Sequence, residues 1–433
     1  MGNRLPIAFS LLVISIAIAP ALVFLDGRLA NSVTAALAAA AFAFVGISAR
    51  AADVSYAAQV TRYLKLAAAV PAIWMVLQVL PTPFPAMSHS IWITANETLD
   101  RPSWGHISVD IGKTIEALIT YLANVSLILV SIFVTKERRR AELILFVLTT
   151  VTMFATIALL AARWGLLANP AASELNEILS AISSLGIILS MTTGVLAVER
   201  YESKLAEPTR PAQSIRMAFA FCCAGLLVCI AGLASSATLN VGLTAAFGAI
   251  TFGSIQAIRR VGLAGWATAI FIATMITAAV MIILWRYDPI PALSPFLQFA
   301  TAASRDTILA AQRIFMDTRW IGTGAATYTA LLPIYGSSIT TAPSSATVFA
   351  IELGWPITLF TIGAAIGLVA VLYRGALIRG RDSYYSAAAA ACAFMILGQA
   401  FCDTSLLHPS VAVIGDAMIG LGLAQSVSRR NSP

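Results

Sequence analysis

Long apolar runs separated by short polar connections follow one another along the whole chain. A helix needs roughly 20 mainly apolar residues to span a bilayer, and lipid offers the backbone no hydrogen-bond partners. The pattern therefore predicts about twelve transmembrane helices. Their approximate ranges are 5–25, 31–49, 64–81, 114–135, 141–162, 176–198, 215–234, 238–257, 263–285, 346–372, 384–401 and 409–426.

Composition supports the same fold class. Apolar residues make up 59% of the chain, charged residues only 11%, and the mean hydropathy is +0.86. A soluble domain covers its surface with many more charges than this. We therefore predict an all-α polytopic membrane protein.

The positions of the basic residues predict the orientation, because short cytoplasmic loops collect Lys and Arg. With the amino terminus inside, the inner face receives 19 of the 27 basic residues and the outer face eight. Both termini are then expected in the cytoplasm. The eight outer residues are Arg28, Arg101, Lys113, Arg163, Arg286, Arg305, Arg313 and Arg319.

The net charge of +7 has an ordinary explanation in this arrangement. Basic loops beside anionic headgroups are common in membrane proteins. Membrane lipids are therefore the expected partners of these charges, and no nucleic-acid partner is predicted.

Two outer segments are longer than turns and divide the chain. Residues 1–285 are expected to hold helices one to nine with an outer loop at 82–113. Residues 286–345 form a large loop between helices nine and ten, and residues 346–433 hold helices ten to twelve. The large loop is rich in apolar and aromatic residues, so we expect it to be ordered and functional.

The large loop contains a predicted amphipathic helix at residues 297–318, with Leu297, Ala300, Ile308, Leu309, Phe315 and Met316 recurring at helical spacing. Arg305 and Arg313 are separated by about 80° around its axis, so one extended anion could touch both. The planar arginine fork suits phosphate oxygens. Alternatively, these arginines pair with Asp288, Asp306 and Asp317 and only hold the segment in place.

The order of several short motifs resembles the O-antigen ligase and polymerase family of bacterial membrane glycosyltransferases. The motifs are Leu80-Pro81-Thr82-Pro83, His106-Ile107-Ser108-Val109-Asp110, Arg305 at the head of a helix, Ile321-Gly322-Thr323-Gly324-Ala325-Ala326-Thr327-Tyr328, and Glu352-Leu353-Gly354. The resemblance covers most of the chain and depends on the combination rather than on any single motif.

The resemblance implies a GT-C-like architecture in the bacterial inner membrane and a substrate of undecaprenyl-diphosphate-linked glycan at the periplasmic face. A sugar hydroxyl would attack the anomeric carbon with inversion while the lipid diphosphate leaves. Arg305 and Arg313, with Arg319 or Arg286, would neutralise that leaving group in place of a metal ion. The chain has no Asp-x-Asp motif or histidine cluster, so neither a metal nor another cofactor is predicted.

A carboxylate or histidine near the acceptor could take its proton. The candidates are Asp306, Asp317, Glu352 and His408. Asp306 ranks first because it follows Arg305, although a structural ion pair explains it equally well. His408 could equally be an ordinary residue of the membrane interface.

The chain departs from the ligase pattern at two places. Pro343 and Ser344 stand where ligases carry a His-Asn pair, and a Ser-Arg pair expected near residues 235–238 is absent. The resemblance therefore favours a polysaccharide polymerase over a ligase, with a flippase and a chain-length regulator as conceivable protein partners. A transporter and a scaffold for envelope assembly are the alternatives outside this enzyme class.

Overall fold

The computed structural model describes residues 5–62, 64–82, 84, 87–100, 104–167, 172–205, 213–261, 300–318, 320–335, 341–378 and 382–426. Almost all of this part is helical. The first ten helices are α1 Leu5–Leu22, α2 Gly27–Ser48, α3 Ala51–Val60, α4 Lys65–Val79, α5 Ser90–Leu99, α6 Ile111–Val134, α7 Arg138–Arg163, α8 Ala172–Leu205, α9 Gln213–Ser236 and α10 Leu239–Val261. The later helices are α11 Arg305–Asp317, α12 Tyr328–Leu331, α13 Ser345–Glu352, α14 Trp355–Ile378, α15 Ser383–Gln399 and α16 Pro409–Ser426.

Eight of the described helices are long and apolar enough to cross a membrane, or nine if the bent pair α3 and α4 forms one span. The chain is therefore a multi-pass membrane protein. The prediction of twelve spans is not confirmed. The run at 263–285 lies outside the described residues, and the runs at 64–81, 384–401 and 409–426 form helices that are shorter or more polar than the eight.

The predicted tenth span is divided in the structure. Residues 346–372 were expected to form one helix, but α13 ends at Glu352 and α14 begins at Trp355. Gly354, between them, has a φ of +84°, which an L side chain rarely adopts and which interrupts the helix. The short α13 therefore belongs to the segment that precedes the span.

The centre of the bundle is formed by α15 and α16, whose residues are almost all buried. Helix α15 packs against α8, α10, α14 and α16, and α16 also packs against α1 and α6. The sequence of α15 contains Ala387-Ala388-Ala389-Ala390-Ala391. Small side chains let neighbouring helices approach closely in a membrane, where packing rather than water exclusion drives association.

The contact between α6 and α16 shows how close this approach is. A Cβ atom on Gly420 would lie 2.5 Å from Ser131 Cβ and 2.6 Å from the carbonyl oxygen of Ile128. Ser131 Oγ also donates to the Ala417 carbonyl oxygen at 2.8 Å. Glycine is required here because any side chain would collide with backbone.

One end of the bundle, here called the basic face, holds every ion pair found among the described residues. They are Lys136–Asp53, Arg138–Glu142, Arg138–Asp382, Arg140–Glu137 and Arg200–Glu142. These basic residues belong to the loops predicted to be cytoplasmic. The structure thus places them at one end of the bundle.

The opposite end, here called the loop face, gathers the described residues within 78–114, 300–354 and 399–410. A two-residue antiparallel pairing of Pro81 with His106 and Thr82 with Gly105 closes the first of these segments. Ser345 N donates to the Asp403 carbonyl oxygen at 2.9 Å, which joins the other two segments. The described parts of the long loops that the sequence predicted to be outer therefore fold onto one another.

Replacing Gly420 by alanine should destabilise the bundle, because the new methyl group would collide with the Ile128 carbonyl on α6. Overpacking of this kind typically costs about 1–3 kcal/mol. Thermal unfolding in detergent should show a lower midpoint for Gly420→Ala. Gly363→Ala on α14 is the matched control, since a Cβ there meets nothing within 4 Å. Equal midpoints for the two variants would contradict the close packing of α6 and α16.

Candidate functional site

Helix α11 begins later than the sequence predicted. It spans Arg305–Asp317, whereas residues 297–318 were expected to be helical. Residues 297–299 lie outside the described residues, and residues 301–304 are not helical. Ser304 stops the helix from extending backwards because its Oγ accepts from Thr307 N at 3.3 Å, as an N-cap residue does.

The buried side of α11 also differs from the predicted one. Its fully buried residues are Thr307, Ala310, Ala311 and Ile314. This stripe packs in a small core with Tyr328 and Leu331 of α12 and with Val348 and Ile351 of α13. Met316, which was assigned to the apolar face, is 63% exposed. The two alanines decide the orientation, because their small side chains let α11 lie close to α12 and α13.

The exposed side of α11 forms one wall of an open depression with a volume of about 480 Å³. Residues at positions i, i+3, i+4, i+7 and i+8 lie along one side of a helix, which explains how these α11 residues share a wall. The lining residues are Leu309, Gln312, Arg313, Met316 and Asp317 of α11, with Tyr335 from the turn that follows α12. Arg305 is one turn before Leu309 and continues the same stripe.

Arg305 and Arg313 are both exposed, and neither forms an ion pair in the part of the chain that the structure describes. The alternative interpretation expected Arg313 to pair with Asp317, but these side chains form no ion pair. Asp306 is exposed beside Arg305 in the first turn. Arg286, Arg319 and Asp288 lie outside the described residues.

Glu352, a candidate base, is buried at the end of α13 and holds the glycine-rich loop. Its Oε2 accepts from Ala326 N at 2.7 Å and its Oε1 accepts from Tyr328 N at 2.9 Å. Burial raises the pKa of Glu352 to about 7, against the opposing effects of these backbone donors and of the Lys113 charge. Both carboxylate oxygens are thus engaged by backbone, which fits a positioning role.

The loop that Glu352 holds approaches α13 backbone to backbone. Gly322 has a φ of +83°, and a Cβ there would lie 2.3 Å from the Glu352 carbonyl oxygen. Gly324 has a φ of +107°, and its Cβ would lie 2.4 Å from Ser108 Oγ. Gly324 N donates to the Glu352 carbonyl oxygen at 3.0 Å. The glycines are needed both for their backbone conformation and for the absence of a side chain.

Gln78 connects the same loop to α4, and sequence reasoning missed it. Its side chain is fully buried. Nε2 donates to the Glu352 carbonyl oxygen at 2.8 Å, and Oε1 accepts from Ala325 N at 3.3 Å. A lone amide within the apolar run 64–81 was the available signal, because a polar side chain there needs buried partners.

The outer segment before α6 joins this assembly. Val109 N donates to the Thr323 carbonyl oxygen at 2.8 Å, and Thr114 Oγ1 donates to that of Ala325 at 3.1 Å. Lys113 Nζ donates to Thr329 Oγ1 at 3.2 Å. Three motifs that carried the family resemblance, at 106–110, 321–328 and 352–354, therefore contact one another although they are far apart in sequence.

His408, another candidate base, lies at the start of α16. Its Nδ1 accepts from Ser410 N at 3.3 Å and lies 2.7 Å from Ser410 Oγ, so the ring caps this helix. Burial lowers the pKa of His408 to about 4, which keeps the ring neutral near pH 7. The structure does not bring His408 into the lining of the α11 depression.

Ser344 stands where the predicted family resemblance places the second residue of a His-Asn pair, and here it has a structural role. Its Oγ accepts from Thr347 N at 3.2 Å and caps α13. Pro343 beside it is buried, and its carbonyl oxygen accepts from Thr301 Oγ1 at 2.6 Å. No titratable side chain stands at these two positions.

No group of three or more His, Cys, Asp or Glu side chains in the described part of the chain is arranged to hold a metal ion.

No protein-family model matches the chain, and no curated protein sequence matches it significantly. The family resemblance therefore stays a prediction, and the function is argued below from the residues.

The loop face should become less stable as pH rises from about 4.5 to about 7, because the folded protein binds the Glu352 proton more tightly than the unfolded chain does. Glu352→Gln is neutral at every pH and should flatten this dependence. Hydrogen exchange of the peptides covering residues 321–328 between pH 5 and 8, corrected for intrinsic exchange rates, measures the effect. Glu97→Gln, an exposed carboxylate on α5, is the control. The same pH dependence in Glu352→Gln as in the wild type would contradict the assignment.

Proposed function

We propose that the protein is an inverting glycosyltransferase that polymerises polyprenyl-diphosphate-linked oligosaccharide repeat units at the outer surface of a bacterial inner membrane. The observation that carries the proposal is the arginine stripe of α11. Arg305 and Arg313 are solvent-exposed, form no ion pair with described carboxylates, and lie along one side of a helix bordering an open depression.

The stripe fits a diphosphate by charge and by length. Eight residues of helix rise about 12 Å, and long arginine side chains can converge over that distance on one extended anion. Arginine presents a planar fork that binds phosphate oxygens through two parallel hydrogen bonds. Two such groups would neutralise the charge that develops on a diphosphate leaving group.

The rest of the loop face supplies a rigid support for these arginines. The buried stripe of α11 packs on α12 and α13, and Glu352 holds the loop that leads into α12. Because one side of α11 is packed against protein and the other faces solvent, the helix holds its arginines in place without pairing them with carboxylates. Such preorganisation is what electrostatic stabilisation of a transition state requires.

In the proposed reaction, the acceptor hydroxyl oxygen bonds to the anomeric carbon as the bond from that carbon to the diphosphate oxygen breaks. The hydroxyl proton passes to a carboxylate. Asp306 is the first candidate because it is exposed beside Arg305, whereas Glu352 is engaged by backbone donors and His408 caps α16. Polymerisation is favoured over ligation because Pro343 and Ser344 replace the His-Asn pair of ligases.

The test is transfer activity in vesicles containing the purified protein and its lipid-linked repeat unit. Arg305→Ala and Arg313→Ala should each lower the rate by about 10²-fold, since each removes a group that stabilises the leaving-group charge. Arg→Lys variants should keep part of the activity, because they preserve the charge but lose the fork. Polymer length by gel electrophoresis is the readout.

Arg28→Ala is the matched control, since Arg28 is exposed in the first turn of α2, on the side of the bundle that carries the loop face. Full activity in both α11 variants would remove the arginine stripe from the mechanism. In cells, deletion should cause single lipid-linked repeats to accumulate. Accumulation of full-length unattached polymer would instead identify a ligase.

A further inference from the structure

We propose that the depression beside α11 is a subsite for one sugar ring of the glycan, recognised by Asp317, Gln312 and Tyr335. The inference rests on the proposed function and extends it. The arginine stripe would hold the diphosphate, and this second group of side chains would hold the carbohydrate next to it. None of the three was assigned this role from the sequence.

The lining combines the groups that a sugar ring needs. Asp317 accepts hydrogen bonds from hydroxyls, Gln312 can both donate and accept, and Arg313 donates. Leu309 and Met316 add apolar surface, and the Tyr335 ring adds an aromatic one. A polyprenyl tail offers no hydrogen-bond partners to the three polar side chains and the guanidinium of this lining. The lining therefore fits a polar ligand with apolar ring faces better than it fits lipid.

Asp317 and Tyr335 lie close together in the lining of the depression. Burial and the neighbouring Asp317 carboxylate raise the pKa of the Tyr335 hydroxyl. Arg313 is four residues from Asp317 but forms no ion pair with it. The phenol and the carboxylate can therefore both bind hydroxyl groups of one sugar ring, and no ion pair with Arg313 competes for the carboxylate.

The direction of α11 determines the positions of the two subsites along the helix. Arg305 is the first residue of the helix and Asp317 the last, so the helix rises about 18 Å between them. Arg313 belongs to the arginine stripe and also lines the depression, so it lies between the two proposed subsites. We therefore expect the diphosphate towards the amino-terminal turns of α11 and the sugar over the carboxy-terminal turns.

The experiment separates the two subsites by using two probes on the full chain in lipid nanodiscs. The first probe is lipid-free oligosaccharide released by mild acid from the envelope polysaccharide of the source cells. The second is undecaprenyl diphosphate without sugar. Saturation-transfer NMR measures binding of the first probe, and a competition assay measures binding of the second.

Asp317→Asn and Tyr335→Phe should weaken oligosaccharide binding by about tenfold or more and leave undecaprenyl diphosphate binding unchanged. Arg305→Ala should give the reverse pattern. Glu97→Gln should change neither, because it is an exposed carboxylate on α5. Both variants at the depression conserve size, so folding can be checked by their melting temperatures.

Unchanged oligosaccharide binding in Asp317→Asn and Tyr335→Phe would overturn the subsite, and so would wild-type protein that binds no oligosaccharide. Weakened undecaprenyl diphosphate binding in these variants would show instead that the depression serves the lipid. Failure of the proposed function looks different. Oligosaccharide binding would then depend on Asp317, but the vesicles would show no polymer.

Discussion

The buried carboxylate of Glu352 is the interaction on which the loop face depends. It removes an acidic group from water and satisfies it with the backbone N–H groups of Ala326 and Tyr328. A buried carboxylate is costly unless hydrogen bonds replace its hydration. Here the donors come from a loop with a left-handed residue at Ala326, so the hydrogen bonds of the Glu352 side chain also hold this turn in place.

The consequence is that segments from three regions of the chain form one unit. The loop at 321–328 contacts residues 108–114 on one side and α13 on the other, and Gln78 on α4 bonds to both the loop and α13. Loss of any one partner leaves buried polar groups without bonds, and such groups are expensive. The position of α11, and with it that of Arg313, is thus fixed by residues that lie far from it in sequence.

Charge is used differently at the two ends of the bundle. At the basic face, arginines such as Arg138 and Arg200 are paired with carboxylates. At the loop face, Arg305 and Arg313 form no ion pair with the described carboxylates and face solvent. Paired charges serve to fix helices and loops, whereas unpaired guanidinium groups beside a depression retain their capacity to bind an anion. This contrast favours anion binding by Arg305 and Arg313 over the alternative that they only hold the segment in place.

The sequence by itself determined that the protein lies in a lipid bilayer and that its apolar segments are helical. Runs such as those of α1, α6 and α7 favour a bilayer because their side chains are apolar over a length that can cross it. Inside the bilayer they must be helical, because lipid offers the backbone no hydrogen-bond partners. The sequence could not determine where α11 begins or which of its sides is buried, because Ser304 and Ala311 acquire these roles only through their neighbours. Nor could it reveal that Glu352 binds backbone rather than substrate, since that depends on partners 24 and 26 residues away. Hydropathy is a property of each segment alone, but the contacts that build a site join distant segments, and only the tertiary structure decides them.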